Sequence, residues 1–408
     1  MQPAAIVCQP SGCGLKYGGN PHACHLPTNA RSFPIETSAE SSETILREIV
    51  ALTKDLIRFK STPTRSDEIR ECARFIHAWF QNRNIPSALT ERSGVPSVCV
   101  LPSRRPVTIL LMSHIDVVEA SEALFEPVEK DGRLYGRGAI DDKYAAALSM
   151  VLLKNRFESR QYRDDRDDGP SLGVLITGDE EIGGQNGARS ALAEIDSHFC
   201  IALDGGRVDK IVIKEKGVLR LRVVAAGKTA HGARPWLGEN AIERLMDDIR
   251  VVKGFFEGLQ ATEHWHRTMN LSVIRAGESI NQVPDMAEAI FDIRYTENDD
   301  VDDLVQRIQA AVTGTVIVQE REPLFISPGS PYLDRLLSTA QETRTGIAHG
   351  ASDARFLTQF SIPGIVWGAD GNNSQHSTNE HVEIQSLARL YGLLERFLDD
   401  LHTDPISR

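Results

Sequence analysis

The chain has 408 residues, enough for one large core or two domains. Charged residues make up 25% and hydrophobic ones 41%, the balance of a soluble globular protein, and the formal net charge is −12. That charge argues against a nucleic-acid partner, which would select a basic face, and gives no support to an anionic membrane surface.

No apolar run is long enough to span a bilayer. The six cysteines (Cys8, Cys13, Cys24, Cys72, Cys99 and Cys200) are scattered, as reduced thiols of a cytoplasmic protein are, rather than spaced as a disulfide framework.

Residues 1–42 are rich in Pro, Gly, Ser and Asn and show neither helical nor strand period. They lack the basic start and apolar stretch of a signal peptide. The expectation is a disordered extension, or translation that starts further along the chain. Cys8, Cys13, Cys24, His22 and His25 invite a small zinc knot, but their spacings match no C-x2-C pattern.

The body then alternates helix and strand. Residues 43–59 put Ile45, Ile49, Leu52 and Leu56 on one helical face, and 66–83 form a second helix with Ser66 as its expected cap. "SVCVLP" and "VTILLMSHIDVV" read as strands, and 142–157 as a helix. Residues 159–170 are a charged surface loop. Strand 171–178, a short helix in "ARSALAEI" and strand 199–206 follow. This alternation predicts an α/β fold with a mostly parallel sheet sandwiched by helices.

From residue 217 the order becomes β-α-β-β-α-β: "GVLRLRVVAAG", a helix in "NAIERLMDDIRVVKGFFEG", "TMNLSVIRAG", "MAEAIFDIRY", a helix in "VDDLVQRIQAAV", and "TVIVQE". The α/β pattern then resumes, with helices near 331–344 and 352–360, the strand "GIVWGA" and a helix over 383–401. The expected organisation is therefore an extension (1–42), a first domain in two pieces (43–216 and 325–408), and an inserted ferredoxin-like domain (217–324).

Open α/β sheets form their sites beyond the carboxyl ends of the strands. His114 and Asp116 follow "ILLM". Asp141 and Asp142 precede a helix in "GRGAIDDK". Asp179, Glu180 and Glu181 follow "GVLIT", Asp204 ends "CIAL", and His376 lies in "GNNSQHSTNEHV". Each has a bland reading alone: a core His–Asp pair, a solvated acidic turn, or helix capping. So many carboxylates aimed at one region must either neutralise through shifted pKa values or bind cations. Carboxylates with two histidines and no cysteine suit zinc, manganese or cobalt.

On "SHIDVV", "YGRGAIDDK", "TGDEEIGG", "AHGARPWLGENAI", "NQVPD", "DIRY", "SDARF" and "HSTNE", in that order, residues 43–402 resemble the dinuclear zinc amidohydrolase and exopeptidase family. That group includes acetylornithine deacetylase, succinyl-diaminopimelate desuccinylase, aminoacylase and glutamate carboxypeptidase. The resemblance implies two divalent ions, zinc foremost with cobalt or manganese as alternatives. His114, Asp141, Glu181, Asp204 and His376 are the implied ligands. Asp141 would bridge, Glu181 and His376 completing one ion and His114 and Asp204 the other.

The resemblance further implies Asp116 as the orienter of His114, a cis Asp141–Asp142 bond, and Glu180 as general base toward a water made acidic by the ions. His231 would reach the oxyanion from the inserted domain of a second copy in a homodimer. Arg294 resembles a carboxylate clamp, Asn281 supports the oxyanion or that carboxylate, and Ser352 and Arg355 are substrate-binding candidates.

The implied substrate is a small N-acylated amino acid, with deacetylase or desuccinylase chemistry. A carboxypeptidase or dipeptidase is the enzyme alternative, and a non-catalytic amino-acid-binding relative the alternative of another class. "SDARF" is similar to the desuccinylase pattern. Asp204 and the Glu215-Lys216-Gly217-Val218 stretch depart from it: desuccinylases usually have Glu at the former and carry an Arg and a Ser around the glycine of the latter.

Overall fold

A computed structural model describes residues 39–102, 106–159 and 170–406. The knot of Cys8, Cys13, Cys24, His22 and His25, and most of the charged loop, lie outside the described residues. The first helix, Ala39–Ile57, begins a few residues before the expected boundary.

The main sheet runs in the order Ala88–Arg92, Val95–Val100, Leu172–Thr177, Val107–His114, Ser197–Ala202, Gly364–Val366, Lys210–Glu215 and Phe325–Ile326, with Arg344–Ala348 also pairing with Lys210–Glu215. It is parallel through its centre and antiparallel at its flanks, where Val95–Val100 opposes Leu172–Thr177 and Gly364–Val366 opposes Lys210–Glu215. The expectation of a mostly parallel sheet is corrected to a mixed one. Its central strands are near-continuous apolar runs because both faces are covered. Ile109 and Leu111 pack on one side with the helices Ala39–Ile57, Ser66–Gln81, Lys143–Glu158 and Ile384–Thr403. Leu110 and Met112 pack on the other with Ala188–Leu192 and Arg355–Gln359.

The Lys143–Glu158 helix is buried from Lys143 through Leu153. Its Ala145, Ala146 and Ala147 present no bulk, so the helix lies close against the sheet that carries His114. Ser66 does not cap its helix: Arg65 occupies that position without a side-chain bond, and Ser66 is the first helical residue.

Segment 217–324 contains a four-stranded antiparallel sheet ordered Thr268–Ala276, Met286–Tyr295, Gly217–Ala226, Thr315–Glu322. Alternate residues Leu219, Leu221, Val223, Ala289, Phe291 and Ile293 face the helices Ala241–Gly254 and Val301–Ala311 and form a separate core. Asn240 caps the first helix, accepting the Ile242 and Glu243 N–H groups at 2.9 and 3.4 Å. Arg220, Arg222, Arg294, Glu288 and Asp292 pair on the opposite face. Among the described residues, no helix is long and apolar enough to cross a membrane.

Candidate metal centre

Loops after the main-sheet strands and the turn that opens the Lys143–Glu158 helix bring two histidines against four carboxylates. His114 closes its strand almost fully buried, with Nε2 3.0 Å from Asp141 Oδ1 and 3.8 Å from Asp204 Oδ2. His376 places Nε2 3.1 Å from Asp141 Oδ2 and 3.2 Å from Glu181 Oε1. Asp141 thus offers one oxygen to each histidine. Asp142, joined to Asp141 by a cis peptide bond, is a further member of the His114 and Asp204 group. Its Oδ2 accepts the His114 N–H at 3.3 Å, and it makes no capping bond to the helix it precedes.

Donor atoms about 2.1 Å from a shared tetrahedral ion stand about 3.4 Å from one another, and the separations here bracket that value. Glu181 Oε1 is buried and, though 3.2 Å from the His376 ring, forms no hydrogen bond. A desolvated oxygen without a donor is costly unless a cation meets it. The residues present therefore fit a divalent metal.

The electrostatics carry the same message. Burial opposes charge on His114, yet Asp116, Asp141 and Asp204 outweigh it and raise its pKa well above the usual imidazole range. Asp141 and Glu181 raise His376 to about 10. Asp141 is pushed up by burial but pulled well below the carboxylate range by both histidines. Protonated rings stand where cations fit.

Around this centre lies a layer of hydrogen bonds. The Asp116 carboxylate accepts the N–H groups of Glu180 and Glu181 at 3.1 and 2.9 Å, fixing the loop that carries both glutamates. His114 Nδ1 is 3.0 Å from the Asp116 main-chain oxygen and 3.4 Å from its Oδ1, so the backbone carbonyl is its nearer partner. Asp179 accepts the N–H groups of Asn186 and Gly187, both at 2.9 Å, closing the turn after the glutamates. "DEE" is thus an internally bonded turn rather than a solvated one.

Glu180 lies beside these residues, and burial, then Asp204 and Asp353, push its pKa well up. Arg355 is nearly buried, with its guanidinium 3.3 Å from Glu180, 3.5 Å from Asp353 and 3.6 Å from Glu322. Three carboxylates thus surround it, while its buried Nε has no hydrogen-bond partner. Ser352 is buried and donates its N–H and Oγ–H to Glu215 Oε2 at 3.0 and 2.8 Å.

The remaining expected residues direct their hydrogen bonds elsewhere. His231 is exposed, and its Nδ1 accepts the Ala233 N–H at 3.0 Å. Asn281, also exposed, accepts from Ser279 Oγ at 2.6 Å. Arg294 forks onto Asp292 at 2.7 and 3.2 Å. His231 and Asn281 are neighbours: the Gly232 N–H donates to the Asn281 carbonyl at 2.7 Å.

Sequence reasoning missed Glu215 and Glu380. Glu380 stood in plain view in "HSTNE", four residues after His376.

Residues 110–400 match peptidase family M20/M25/M40. A succinyl-diaminopimelate desuccinylase from Bordetella petrii is 27% identical over 391 residues, covering 86% of this chain and 97% of that protein. One from Beijerinckia indica is 30% identical over 325 residues, covering 71% of this chain and 82% of its own. Among solved structures, an M20 family metallo-carboxypeptidase from Sulfolobus solfataricus superposes with a TM-score of 0.71 at 19% identity, covering 86% of this chain and 98% of that one, a likeness of fold. Fold and site together define a metal-dependent hydrolase. The chain belongs to peptidase family M20/M25/M40.

Proposed function

We propose that the enzyme hydrolyses the amide bond of an N-acylated amino acid, with the deacetylase or desuccinylase chemistry that the names of its relatives suggest. The observation that carries this is the placement of a largely buried glutamate, Glu180, beside an Asp141-centred donor cluster, with Glu180 free of the histidines. His114, Asp141 and Asp204 would hold one divalent ion, and Asp141, Glu181 and His376 a second, zinc foremost with cobalt or manganese as alternatives. Bound there, the ions supply Lewis acidity that polarises the substrate carbonyl and makes a water acidic.

Glu180 takes the water's proton at its carboxylate and delivers it to the leaving nitrogen. A raised pKa suits it to hold that proton between the two steps. Arg355 and the Asp116-bound backbone keep the Glu180 carboxylate in place.

Segment 217–324 acts in this reading as a lid and dimerisation domain, the rest of the body as the metal-binding domain. His231 reaches a second copy's site as oxyanion donor, with Asn281 and Arg294 on the substrate carboxylate. Exposure of Trp236, Leu237, Ile280 and Met286 near these residues supports a homodimer. The free Cys72, Cys99 and Cys200 support a reducing, cytoplasmic setting.

The test is amine release by zinc- or cobalt-loaded protein from N-acetylornithine, N-succinyl-diaminopimelate and dipeptides. An N-acyl amino acid is expected to be cut, and Glu180→Ala to lower kcat by roughly 10²–10⁴-fold with metal content retained. Cleavage of dipeptides alone makes the enzyme a peptidase, and absence of turnover by loaded protein defeats the hydrolytic reading.

A further inference from the structure

A cavity of about 510 Å3 opens beside Asp141 and Asp204, a size that takes a small ligand. Glu215, Ser352, Arg207, Lys210 and His349 are among its other polar walls, with Asn373 and Gln375. Glu215 ends its strand with only 4% of its surface exposed. Its Oε2 is held by the Ser352 N–H and hydroxyl, and among the described residues nothing donates to Oε1. A nearly buried carboxylate therefore lines the cavity with one oxygen open.

The cations on the same wall make their hydrogen bonds elsewhere. Arg207 forks onto Asp209 at 3.0 and 3.2 Å. Lys210 Nζ donates to the Ile347 carbonyl at 2.6 Å. Arg355, behind Ser352, is shared by Glu180, Asp353 and Glu322. Burial, then Lys216, lowers the pKa of His349, so its ring is neutral at neutral pH. Asp141 and Asp204 belong to the metal centre. Among the described residues no ion pair meets Glu215, whose pKa burial pushes up to about 7. A cation entering the cavity restores the counter-charge and holds the carboxylate ionised.

We infer that this cavity receives a positively charged amine or guanidine of the substrate, and that Glu215 is the residue that selects it. The inference rests on the amidase reading above and narrows it to substrates with a basic group. An apolar pocket would separate such a substrate from its neutral analogue only weakly, whereas a site built to pair a charge separates them strongly. Ser352 acts here by fixing one carboxylate oxygen so that the other stays toward the cavity.

The experiment compares kcat/KM of loaded enzyme for N-acetylornithine, N-acetylnorvaline and N-acetylglutamate, which differ mainly in side-chain charge. The expected order places the cationic substrate roughly tenfold or more above the neutral one, with the anionic substrate last. Glu215→Gln keeps the shape and removes the charge, and is expected to collapse that ratio through KM. Metal content and Tm are followed alongside, because a purely structural Glu215 moves Tm and leaves the ratio alone.

An unchanged ratio, or preference for N-acetylglutamate, overturns the inference while the amidase reading stands. If Glu215→Gln does not fold, competition on wild-type enzyme decides: ornithine is expected to inhibit more strongly than norvaline, and equal inhibition overturns the inference. If none of the three is hydrolysed and N-succinyl-diaminopimelate is left intact too, the amidase reading has failed separately. Calorimetric binding of N-acetylornithine against N-acetylnorvaline then tests the cavity alone, equal affinities counting against it.

Discussion

Glu380 has no solvent exposure, and its Oε1 accepts the backbone N–H groups of Gly138, Ile140 and Asp141 at 2.8, 3.3 and 3.3 Å. Its Oε2 pairs with the buried Arg137. One carboxylate thus shapes the loop that presents Asp141 to both histidines. A ligand held by its own backbone loses affinity when that backbone is released, typically by 10–100-fold for groups in such outer positions. Glu380→Gln is expected to weaken metal retention by roughly that factor and to lower stability by about 1–3 kcal/mol, because an amide NH2 replaces the oxygen that meets the buried Arg137. Competitive chelator titration and thermal unfolding measure the two effects, and unaltered metal affinity would show that the loop holds itself.

The histidines give a pH signature at the same scale. In chelator-stripped protein the His376 pKa stands at about 10, above its unfolded value of about 6.5. Its contribution is fully present below the unfolded value and is lost as pH rises through the folded one. Stripped protein is therefore expected to lose Tm steadily between about pH 6.5 and 10, while zinc-loaded protein, in which the ion replaces the proton, changes less over that window. Metal affinity should climb over the same range because binding expels the protons. A Tm that rises with pH in stripped protein contradicts the assignment.

Among the elements, the two crossings into segment 217–324 meet at Tyr295. A Cβ on Gly217 would lie 2.2 Å from its ring, and its hydroxyl donates to the Glu322 carbonyl at 2.8 Å. Gly217→Ala is expected to displace the ring and cost about 1–3 kcal/mol, and Tyr295→Phe to cost about 0.5–1.5 kcal/mol. The double variant should fall short of their sum, because both act on one contact. Additive losses in denaturant unfolding would separate the two.

What the sequence made legible follows from how each element is buried. Val107–His114 and Leu172–Thr177 are long apolar runs, and Met286–Tyr295 alternates strictly, so each declared itself. Ala88–Arg92 is a polar edge strand, largely exposed, and Lys210–Glu215 carries charges at its ends. Neither has a period that composition alone reveals. The donor cluster was readable because His114, Glu181 and Asp204 stand at or just past the ends of main-sheet strands and Asp141 stands just before a helix. The work of Glu215 and Glu380 was not, since their partners lie 137 residues and more than 230 residues away in the chain. The surroundings of Arg355 were hidden for the same reason: two of the carboxylates beside it, Glu180 and Glu322, come from other segments of the chain, and the third is its neighbour Asp353.

At the scale of the whole molecule, His231 and Asn281 sit together on an exposed surface whose hydrogen bonds do not enter this chain's metal cluster. Within one chain that leaves the oxyanion without the donor proposed for it. The twofold dimer proposed above would resolve the mismatch by letting each copy supply His231 to the other. The arrangement predicts complementation. His231→Ala and Glu180→Ala are each expected to be nearly inactive when pure. Mixed, unfolded and refolded together, they form hybrid dimers in which one site joins an intact Glu180 to an intact His231. Random reassociation makes half of the dimers hybrids with one such site each, so activity should return to about a quarter of wild type. Recovery requires the donor to cross between copies, because a His231 acting within its own chain would leave every site of every hybrid defective.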